Sequence, residues 1–344
     1  MEPVRLGVIG AGSQCTQSLM PAIPFLAELD LVAVCDLQRD RAERNARHFG
    51  ARAAYTDFPQ MLREQAPEAV MVVGPPQVHE EVGLAVLEAG CHLFIEKPAA
   101  PTIEGARRLA EAAQAAGKLG QVGHMMRHAD PVRIAWDLAH AVEFGQILSV
   151  ESKYTTWPTG VIPAGHGWGE PDADWTYMLV QGGHPIDLVR HFLGPLVRVA
   201  ARKAVGQGNT KVYQVAVEAE SGAVGFLNLQ DSFNGWTAKL EVVGDATGIV
   251  AVDDLGRVQY RRGEKRVPAE EDTSGNSAYV WEPHHTLNRW QRSGYGTQLR
   301  HFARCIREGT PPVPSLRDGW RNLVVAQCIV ESCATGRMVE VPPA

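Results

Sequence analysis

The hydrophobic positions in the first third of the chain fall into short runs that longer amphipathic stretches separate. Five runs are rich in valine, isoleucine, alanine and leucine: VRLGVIG, LVAVCD, AVMVVG, HLFIEKP and KLGQVG. The stretches between them, such as RDRAERNARHFG and HEEVGLAVLEAG, have helical spacing. This alternation predicts βαβ units in a parallel sheet, and apolar strands without polar alternation predict helices on both faces. The expected fold of this part is α/β, with a doubly wound parallel sheet.

Beyond Gly123 the pattern changes to strands that follow one another with short turns and few helices between them. Five such segments are ILSVESKYTT, VRVAARKAV, KVYQVAVEAE, AVGFLNLQ and KLEVVG. This pattern is typical of an α+β domain with a largely antiparallel sheet. Because the chain is longer than a typical single domain, we predict two domains, at residues 1–123 and 124–344.

The composition is that of an ordinary globular protein and argues against nucleic acids and membranes as binding partners. With 45% hydrophobic residues, 21% charged residues and a net charge of −6, the chain offers no broad attraction to nucleic acid or to an anionic membrane. No apolar run reaches the ~18 residues of a membrane span, and the first strand begins too early for a signal peptide. The six cysteines form no C-x-x-C pair, which predicts buried thiols rather than disulfides or structural zinc. We expect a cytoplasmic protein.

The stretch GVIGAGSQCT resembles the dinucleotide-binding pattern G-x-G-x-x-G without its third glycine. In that pattern the first glycine, here Gly10, permits a tight turn, and the second, here Gly12, lets the backbone approach a pyrophosphate. Cys15 takes the third place, where a small side chain often substitutes. The second strand ends in Asp36, whose carboxylate would accept hydrogen bonds from the adenosine ribose. The predicted dinucleotide site includes Gly10, Gly12, Ser13, Gln14 and Asp36.

Cofactor choice depends on the same carboxylate. An acidic residue at this position repels the 2′-phosphate of NADP, so Asp36 favours NAD. Arg39 and Arg41 lie nearby in the sequence and keep NADP open as the less favoured alternative.

The triplet Glu96-Lys97-Pro98 places a lysine at the carboxyl edge of the predicted parallel sheet, where such sheets bind ligands. The run AVMVVGPPQVHEEVGLAVLEAGCHLFIEKPAA, the segment GGHPIDLVRHFLG and the closing stretch that begins RHFARCIREGT resemble the glucose-fructose oxidoreductase, inositol dehydrogenase and rhizopine-catabolism (Gfo/Idh/MocA) family. The resemblance implies an NAD(P)-binding Rossmann domain at 1–123 and a substrate-binding and oligomerisation domain at 124–344. It also implies that Lys97 hydrogen-bonds the reacting oxygen of a sugar or cyclitol, where an ammonium stabilises alkoxide character.

The family pattern D-x-x-x-H-x-x-D, whose histidine accepts or donates the proton, matches LVQGGHPID at His184 and Asp187. Val180 stands where the first aspartate is expected. Either His184 works without that carboxylate, or another residue orients the substrate, or the protein is a specialised or inactive member. His184, Asp187 and His191 share one helical face, but no further ligand pair is evident, so we favour proton transfer at His184 over a metal site. We expect His191 to be structural.

The resemblance also assigns supporting roles. The residues that match cofactor positions are Pro75, His79, Glu96 and Lys97 itself. The residues that match substrate positions are Asp187, Arg127 and Lys153. Gly74 departs from the family, which usually has a small hydroxyl or amide residue there. Surface salt bridges are the competing explanation for Arg127 and Lys153.

Two Trp- and Gly-rich stretches, residues 155–178 and 275–296, are longer than ordinary connections and are candidate binding loops. Flat apolar rings suit the C–H faces of a pyranose, so we expect Trp157 to contact substrate, with Trp168 and Trp175 as further candidates. Core packing is the competing role for each ring.

Together, these patterns predict an NAD-dependent oxidoreductase that transfers a hydride between nicotinamide and a secondary alcohol or ketone of a sugar, sugar derivative or cyclitol. A ligand sensor that keeps the dinucleotide fold without turnover is the alternative that Val180 favours. An enzyme whose tightly bound NAD cycles within glycoside cleavage or epimerisation is a third interpretation. Strands such as KVYQVAVEAE leave one sheet face without obvious helical cover, and the family commonly pairs such faces, so we expect a homodimer or homotetramer.

Overall fold

The chain folds into two compact units. The computed structural model describes residues 2–156, 173–207, 210–231, 235–246, 248–262, 278–283 and 289–343. The first unit contains residues 2–128 and 289–323, and the second contains the described residues between 129 and 283 together with 324–343. No helix in these described ranges combines the length and the apolar character needed to cross a membrane.

A six-stranded parallel sheet forms the core of the first unit. Its strands are β1 (Val4–Ile9), β2 (Leu29–Cys35), β3 (Ala53–Tyr55), β4 (Ala69–Val72), β5 (His92–Glu96) and β6 (Gly120–Gly123). The strand order is β3-β2-β1-β4-β5-β6, and every neighbouring pair is parallel. In this doubly wound order the sequence of strands reverses between β1 and β4, and ligands bind at the carboxyl edge beside that point. The predicted Rossmann sheet is confirmed.

Four α-helices connect the strands from β2 onward. They are α1 (Arg39–Phe49), α2 (Phe58–Gln65), α3 (Pro76–Glu88) and α4 (Ile103–Ala115). Local sequence fixes their ends: the Thr102 side chain accepts a hydrogen bond from the backbone N–H of Gly105 at 3.0 Å, and Gly50 ends α1 with a φ of +81°. Because helices cover the sheet, all residues of β4 are buried.

The connection between β1 and β2 is helical but is not an α-helix. A π-helical turn at Cys15–Leu19 is followed by a 3₁₀ turn at Met20–Phe25. The predicted βαβ units require a helix between β1 and β2, and the structure has one there only in this irregular form. Pro21 and Pro24 have no backbone N–H to donate, so a regular α-helical bonding pattern cannot continue through this segment.

Residues 289–323 belong to the first unit, whereas the predicted boundary placed everything after Gly123 in the second domain. They include α8 (Arg289–Arg292), α9 (Tyr295–Glu308) and the start of α10 (Leu316–Thr335). Phe302 of α9 packs against Phe94 of β5 with ring centroids 5.9 Å apart, and Arg304 donates a hydrogen bond to Glu28 at 3.0 Å. The apolar spacing of α9 predicts a packed face but does not indicate which sheet that face covers.

Nine described strands form one sheet in the second unit. They are β7 (Ile147–Thr155), β8 (Leu196–Val205), β9 (Lys211–Ala219), β10 (Val224–Gln230), β11 (Thr237–Gly244), β12 (Gly248–Asp253), β13 (Arg257–Arg262), β14 (Ala278–Trp281) and β15 (Val339–Glu340). Their order is β14-β13-β12-β11-β7-β10-β9-β8-β15. Every neighbouring pair is antiparallel except β7 with β10. The predicted α+β domain with a largely antiparallel sheet is confirmed.

Two helices cover one face of this sheet. They are α5 (Asp130–Ala139), which packs on β11, β12 and β13, and α7 (Gly183–Leu193), which packs on β7 and β10. A short helix, α6 (Ala173–Tyr177), precedes α7 in the chain. Because side chains alternate along a strand, Val150, Ser152 and Tyr154 of β7 are buried, whereas Glu151 and Lys153 are exposed on the open face.

Candidate functional site

The glycine-rich turn follows β1 at the carboxyl edge of the parallel sheet. Gly10 has a φ of +88°, and a Cβ at this position would lie 2.0 Å from the carbonyl oxygen of Val73. Only glycine therefore fits there. A Cβ at Gly12 would meet no atom within 4 Å. The backbone at Gly12 is thus open to a ligand, which is the property that a pyrophosphate site requires.

Asp36 connects the end of β2 to this turn. Its two carboxylate oxygens accept hydrogen bonds from the backbone N–H groups of Ala11 and Gln38, each at 2.9 Å. The guanidinium of Arg41 lies 3.4 Å from the same carboxylate. Since a carboxylate offers about four acceptor positions, Asp36 retains capacity to bind ribose hydroxyls.

The residues after the turn have different surroundings. Ser13 is exposed, and the half-buried Gln14 donates a hydrogen bond from Nε2 to the hydroxyl of Tyr295 at 3.1 Å. Cys15, in place of the third glycine, is fully buried. Burial raises the pKa of the Cys15 thiol, which therefore stays protonated. It packs as a small apolar residue, so its presence is compatible with an intact turn.

Sequence reasoning missed Asn45, which supports the turn from α1. Its buried side-chain amide donates hydrogen bonds to the carbonyl oxygens of Arg41 at 2.9 Å and Ala11 at 3.4 Å. A signal was present: Asn45 shares the buried face of α1 with Ala42 and Ala46. A polar residue on an otherwise apolar face needs a hydrogen-bond partner, and here one partner is the carbonyl oxygen of Ala11 in the glycine-rich turn.

The Glu96-Lys97-Pro98 turn follows β5 at the same edge of the sheet. The buried Glu96 accepts a hydrogen bond at Oε2 from the backbone N–H of Lys97, at 3.1 Å. Its Oε1 faces Gly123, where a Cβ would come within 2.8 Å, and burial raises the pKa of Glu96 to about 7. Burial also lowers the pKa of the half-buried Lys97, against the opposing effect of Glu96. A shifted lysine on a fixed backbone is typical of functional sites.

Pro75 and His79 lie beside this turn. Pro75 caps the N-terminus of α3, and His79 is the fourth residue of that helix. The backbone N–H of Gly74 donates a hydrogen bond to His79 Nε2 at 3.1 Å, and His79 Nδ1 lies 2.8 Å from the carbonyl oxygen of Pro98. Burial lowers the pKa of His79 to about 4. The ring is therefore neutral near pH 7, and both nitrogens contact backbone atoms.

His184 lies in the first turn of α7, directly after a π-helical turn at Met178–Gly182. His184, Asp187 and Val180 are all buried. The ring of Tyr154 on β7 lies near the His184 ring, with centroids 6.1 Å apart. Single π-helical turns often mark functional sites. Val180 lies within this turn, four residues before His184, where the family pattern has a carboxylate.

Sequence reasoning also missed Tyr154. Its hydroxyl donates a hydrogen bond to Oε1 of Gln181 at 3.5 Å, one residue after Val180. The family resemblance instead assigned the substrate contact on this strand to the neighbouring residue, Lys153. Lys153 is exposed on the open face of the sheet, and Tyr154 is on the face that packs against α7. Strand alternation thus separates Lys153 from His184, and the second unit does not bring the two together.

Of the other predicted substrate residues, the structure describes Arg127 and Trp175. Arg127 lies buried in a 3₁₀ turn at Met125–His128, and its guanidinium is 4.0 Å from Asp318 Oδ1. Trp175 is half-buried in α6. Trp157 and Trp168 lie outside the described residues, as do residues 157–172 of the first predicted binding loop and residues 275–277 and 284–288 of the second.

His191 has a packing role in the second unit. Its ring stacks on Trp136 with centroids 3.9 Å apart and an angle of 12° between the planes. Within the part of the chain that the structure describes, no cluster of three or more His, Cys, Asp or Glu side chains is arranged to hold a metal ion.

The structure therefore gathers the predicted residues into two groups. The first unit holds Gly10, Gly12, Ser13, Gln14, Asp36, Pro75, His79, Glu96, Lys97 and Arg127. The second unit holds Lys153, Trp175, His184 and Asp187. In the first group, the loops after β1, β2, β4 and β5 meet at one edge of the parallel sheet.

Both parts of the chain match models of one protein family. Residues 4–124 match the Gfo/Idh/MocA model described as an oxidoreductase family with an NAD-binding Rossmann fold. Residues 140–341 match the companion model, described as the C-terminal alpha/beta domain of the oxidoreductase family.

Individual proteins are similar over much of the chain. Inositol 2-dehydrogenase of Paracoccus denitrificans is 29% identical over 354 residues, which cover 98% of this chain and 96% of that protein. D-glucoside 3-dehydrogenase of Escherichia coli is 32% identical over 215 residues, or 62% of this chain and 58% of that protein. A solved dehydrogenase from Chromobacterium violaceum superimposes with a TM-score of 0.88 at 25% identity, covering 98% and 97% of the two chains. Since the two family models together span most of its length, the chain belongs to the Gfo/Idh/MocA family of oxidoreductases and carries that family's NAD-binding Rossmann domain.

Proposed function

We propose that this chain is an NAD-dependent enzyme that oxidises or reduces a secondary alcohol or ketone of a sugar, sugar derivative or cyclitol. The observation that carries the proposal is the turn after β5. There Lys97, with its backbone held by the buried Glu96, lies at the same sheet edge as the open backbone of Gly12. The relatives named as dehydrogenases of inositol and of a D-glucoside support a polyhydroxylated substrate.

We assign the cofactor contacts to the first unit. The backbone of Gly10, Gly12, Ser13 and Gln14 would hold the pyrophosphate, and Asp36 would accept hydrogen bonds from the adenosine ribose. The loops that carry Pro75 and Glu96 would hold the nicotinamide half. When bound, NAD supplies the hydride acceptor or donor.

Two side chains act on the substrate oxygen. Lys97 donates a hydrogen bond to it, and the positive charge favours the alkoxide character that develops as the C–H bond breaks. His184 takes the hydroxyl proton during oxidation and returns it during reduction, a task suited to an imidazole with an ordinary pKa of ~6.5. Asp187, Arg127 and Trp157 are proposed to orient the substrate.

A substrate screen tests this function. The purified protein is mixed with NAD or NADP and a panel of inositols, hexoses, glucosides and their keto forms, and NADH absorbance is followed in both directions. The proposal expects turnover of at least one cyclitol or sugar with NAD. NADH binding without turnover of any panel member would instead support a ligand sensor.

We predict that Asp36→Ser narrows the preference for NADH over NADPH. The change removes a negative charge and ribose hydrogen bonds, so NADH binding should weaken by about tenfold to 100-fold, as expected for hydrogen bonds to a charged group. Fluorescence titration with both cofactors measures the effect. Asp40→Ser, which removes an exposed carboxylate from the first turn of α1, is the matched control. Equal affinities for NADH and NADPH in the unmodified protein would refute the role of Asp36.

We also propose that the chain forms a homodimer through the open face of the antiparallel sheet. This face carries exposed apolar side chains, among them Val224, Phe226 and Met338, which line a shallow groove. Apolar patches of this kind on a sheet face commonly mark interfaces.

The charges on the open face favour a second copy of this chain as the partner. Lys153 lies directly opposite Lys239, and Glu151 lies directly opposite Glu241, so two like-charge pairs form adjacent rows. Like charges in this position repel each other within one sheet, although in the lysine row the Asp253 carboxylate, 3.1 Å from Lys239, offsets part of this repulsion. A two-fold axis running across the strands between the rows would place each lysine row on the glutamate row of the partner.

We predict a dimeric mass by light scattering at micromolar concentration and loss of the dimer in Glu151→Lys. The reversal places lysine against Lys153 of the second copy, whereas the double change Glu151→Lys with Lys153→Glu restores opposite charges and should restore the dimer. Glu88→Lys, at an exposed position on α3, is the control for net charge. A monomeric mass of the unmodified protein, or a dimer indifferent to both changes, would contradict this arrangement.

A further inference from the structure

His79 is not directed towards solvent or open space, although the family resemblance places it at the cofactor. The whole residue has 0% exposure. Both ring nitrogens are occupied by backbone groups of two different loops: the N–H of Gly74 after β4 and the carbonyl oxygen of Pro98 after β5. These strands are neighbours in the parallel sheet. His79 therefore connects two loops that end at the same sheet edge.

The two partners define the tautomer of the ring. A carbonyl oxygen can only accept a hydrogen bond, so Nδ1 must carry the proton and donate it to Pro98 across 2.8 Å. A backbone N–H can only donate, so Nε2 must accept from Gly74 across 3.1 Å. An imidazolium would direct a second N–H at the N–H of Gly74. The arrangement thus requires a neutral ring protonated at Nδ1, and burial, which lowers the pKa of His79 to about 4, maintains that state.

The backbone around Lys97 is held from two sides. Glu96 Oε2 accepts the hydrogen bond from the N–H of Lys97 at 3.1 Å. His79 donates to the carbonyl of the next residue, Pro98. Each of these contacts comes from the side chain of a buried residue. Small displacements of a reacting group have large kinetic effects, so such contacts matter for rate.

We propose that His79 is a positioning residue that fixes Lys97 through the carbonyl of Pro98, while its second nitrogen separately fixes the cofactor loop at Gly74. The inference rests on the role of Lys97 in the proposed function. It assigns the two ring nitrogens different kinetic consequences: Nδ1 serves the chemical step, and Nε2 serves cofactor affinity.

Two amide variants separate the nitrogens. In His79→Asn the side-chain amide occupies the position of Nδ1 and keeps a donor for Pro98, but it does not reach Gly74. In His79→Gln the amide oxygen occupies the position of Nε2 and keeps an acceptor for Gly74, but the contact with Pro98 is lost. Each variant removes one of two hydrogen bonds, so the pair is matched for stability, and thermal unfolding sets a working temperature at which both are folded.

We expect the two variants to change different kinetic constants. His79→Gln should lower kcat by about tenfold to 100-fold through displacement of Lys97, with the KM for NAD near that of the parent. His79→Asn should raise the KM for NAD and the Kd for NADH, with a much smaller loss of kcat. Equal losses of kcat in both variants, or an unchanged kcat in His79→Gln, would overturn the inference.

Two measurements decide the inference even when no substrate has been found. In histidine labelled with ¹⁵N, the resonances of His79 should show Nδ1 protonated and Nε2 unprotonated near pH 7. Competitive acetylation should give Lys97 a lowered pKa in the parent and in His79→Asn, and a pKa closer to the ordinary lysine value in His79→Gln. A proton on Nε2, or no change of the Lys97 pKa in His79→Gln, contradicts the inference, whereas absence of turnover alone contradicts only the proposed function.

Discussion

Lys97→Met is expected to lower kcat by about 100- to 1,000-fold, the usual effect of removing one positioned donor from a developing oxyanion. Methionine has a similar length but has neither charge nor a hydrogen-bond donor. Glu96 and His79 contact the backbone on either side of Lys97, so the turn should keep its conformation and NADH should still bind. The measurements are steady-state kinetics with the best substrate and fluorescence titration with NADH.

The pH profile of the parent provides a second readout for Lys97. Because burial lowers the pKa of its ammonium below the ordinary value, the rate should fall as pH rises through that lowered pKa. In Lys97→Met the rate should be low at every pH, and this alkaline decline should be absent. Lys118→Met is the control, since Lys118 precedes β6 at the opposite edge of the same sheet. Full activity of Lys97→Met would show that another group stabilises the substrate oxygen.

His184→Asn is expected to lower kcat by about 100- to 10,000-fold, the range for loss of a general acid or base. Asparagine preserves polarity and approximate shape but does not titrate, so the limb of the pH profile that reports the histidine should disappear. NADH affinity should be retained, since the proposed cofactor contacts all lie in the first unit. Near-full turnover with an unchanged profile would assign the proton transfer to another residue.

Val180→Asp tests the electrostatic side of the same assignment. The variant restores the carboxylate of the family pattern four residues before His184. A nearby negative charge favours the imidazolium, so the apparent pKa of the histidine limb should rise relative to the parent. Because Val180 is buried, the new carboxylate loses hydration, and Val180→Asn serves as the uncharged control. If the apparent pKa of this limb is unchanged in Val180→Asp, either residue 180 has no electrostatic effect on His184 or His184 does not take part in the reaction.

The parallel sheet and its glycine turn were predictable because local sequence determines both. Gly10 is required by a positive φ and by close contact with Val73, and such positions leave a clear mark in a sequence. The same is true of Asp36, which directly follows an apolar strand and binds the turn through Ala11. In these cases the residue type and the adjacent strand pattern carry enough information to assign the fold and the turn.

The connections between distant segments were not predictable in the same way. His79 contacts Pro98, 19 residues later, and Gln14 contacts Tyr295, 281 residues later, and neither pairing has a periodic signal. The position of α9 in the first unit depends on Phe302 meeting Phe94, which composition does not encode. Such contacts depend on the tertiary fold, which brings together segments that are distant in the sequence.

Lys153 illustrates a limit of motif reasoning. The residue type and its place beside Tyr154 fitted the substrate prediction, but a shift of one position along a strand moves a side chain to the opposite face. The structure places Tyr154 near His184 and leaves Lys153 on the open face. Tyr154 is therefore the better candidate on β7 for a residue that supports His184.

Isotope transfer tests the central claim, hydride exchange between a substrate carbon and nicotinamide, most directly. An inositol or glucoside deuterated at every carbon-bound hydrogen is incubated with the protein and NAD, and the NADH formed is isolated and analysed by mass spectrometry and NMR. The account predicts NADH with deuterium on the nicotinamide ring, lost when Lys97 or His184 is replaced. NADH without deuterium, or a deuterium label that appears only in water, would contradict direct hydride transfer by this protein.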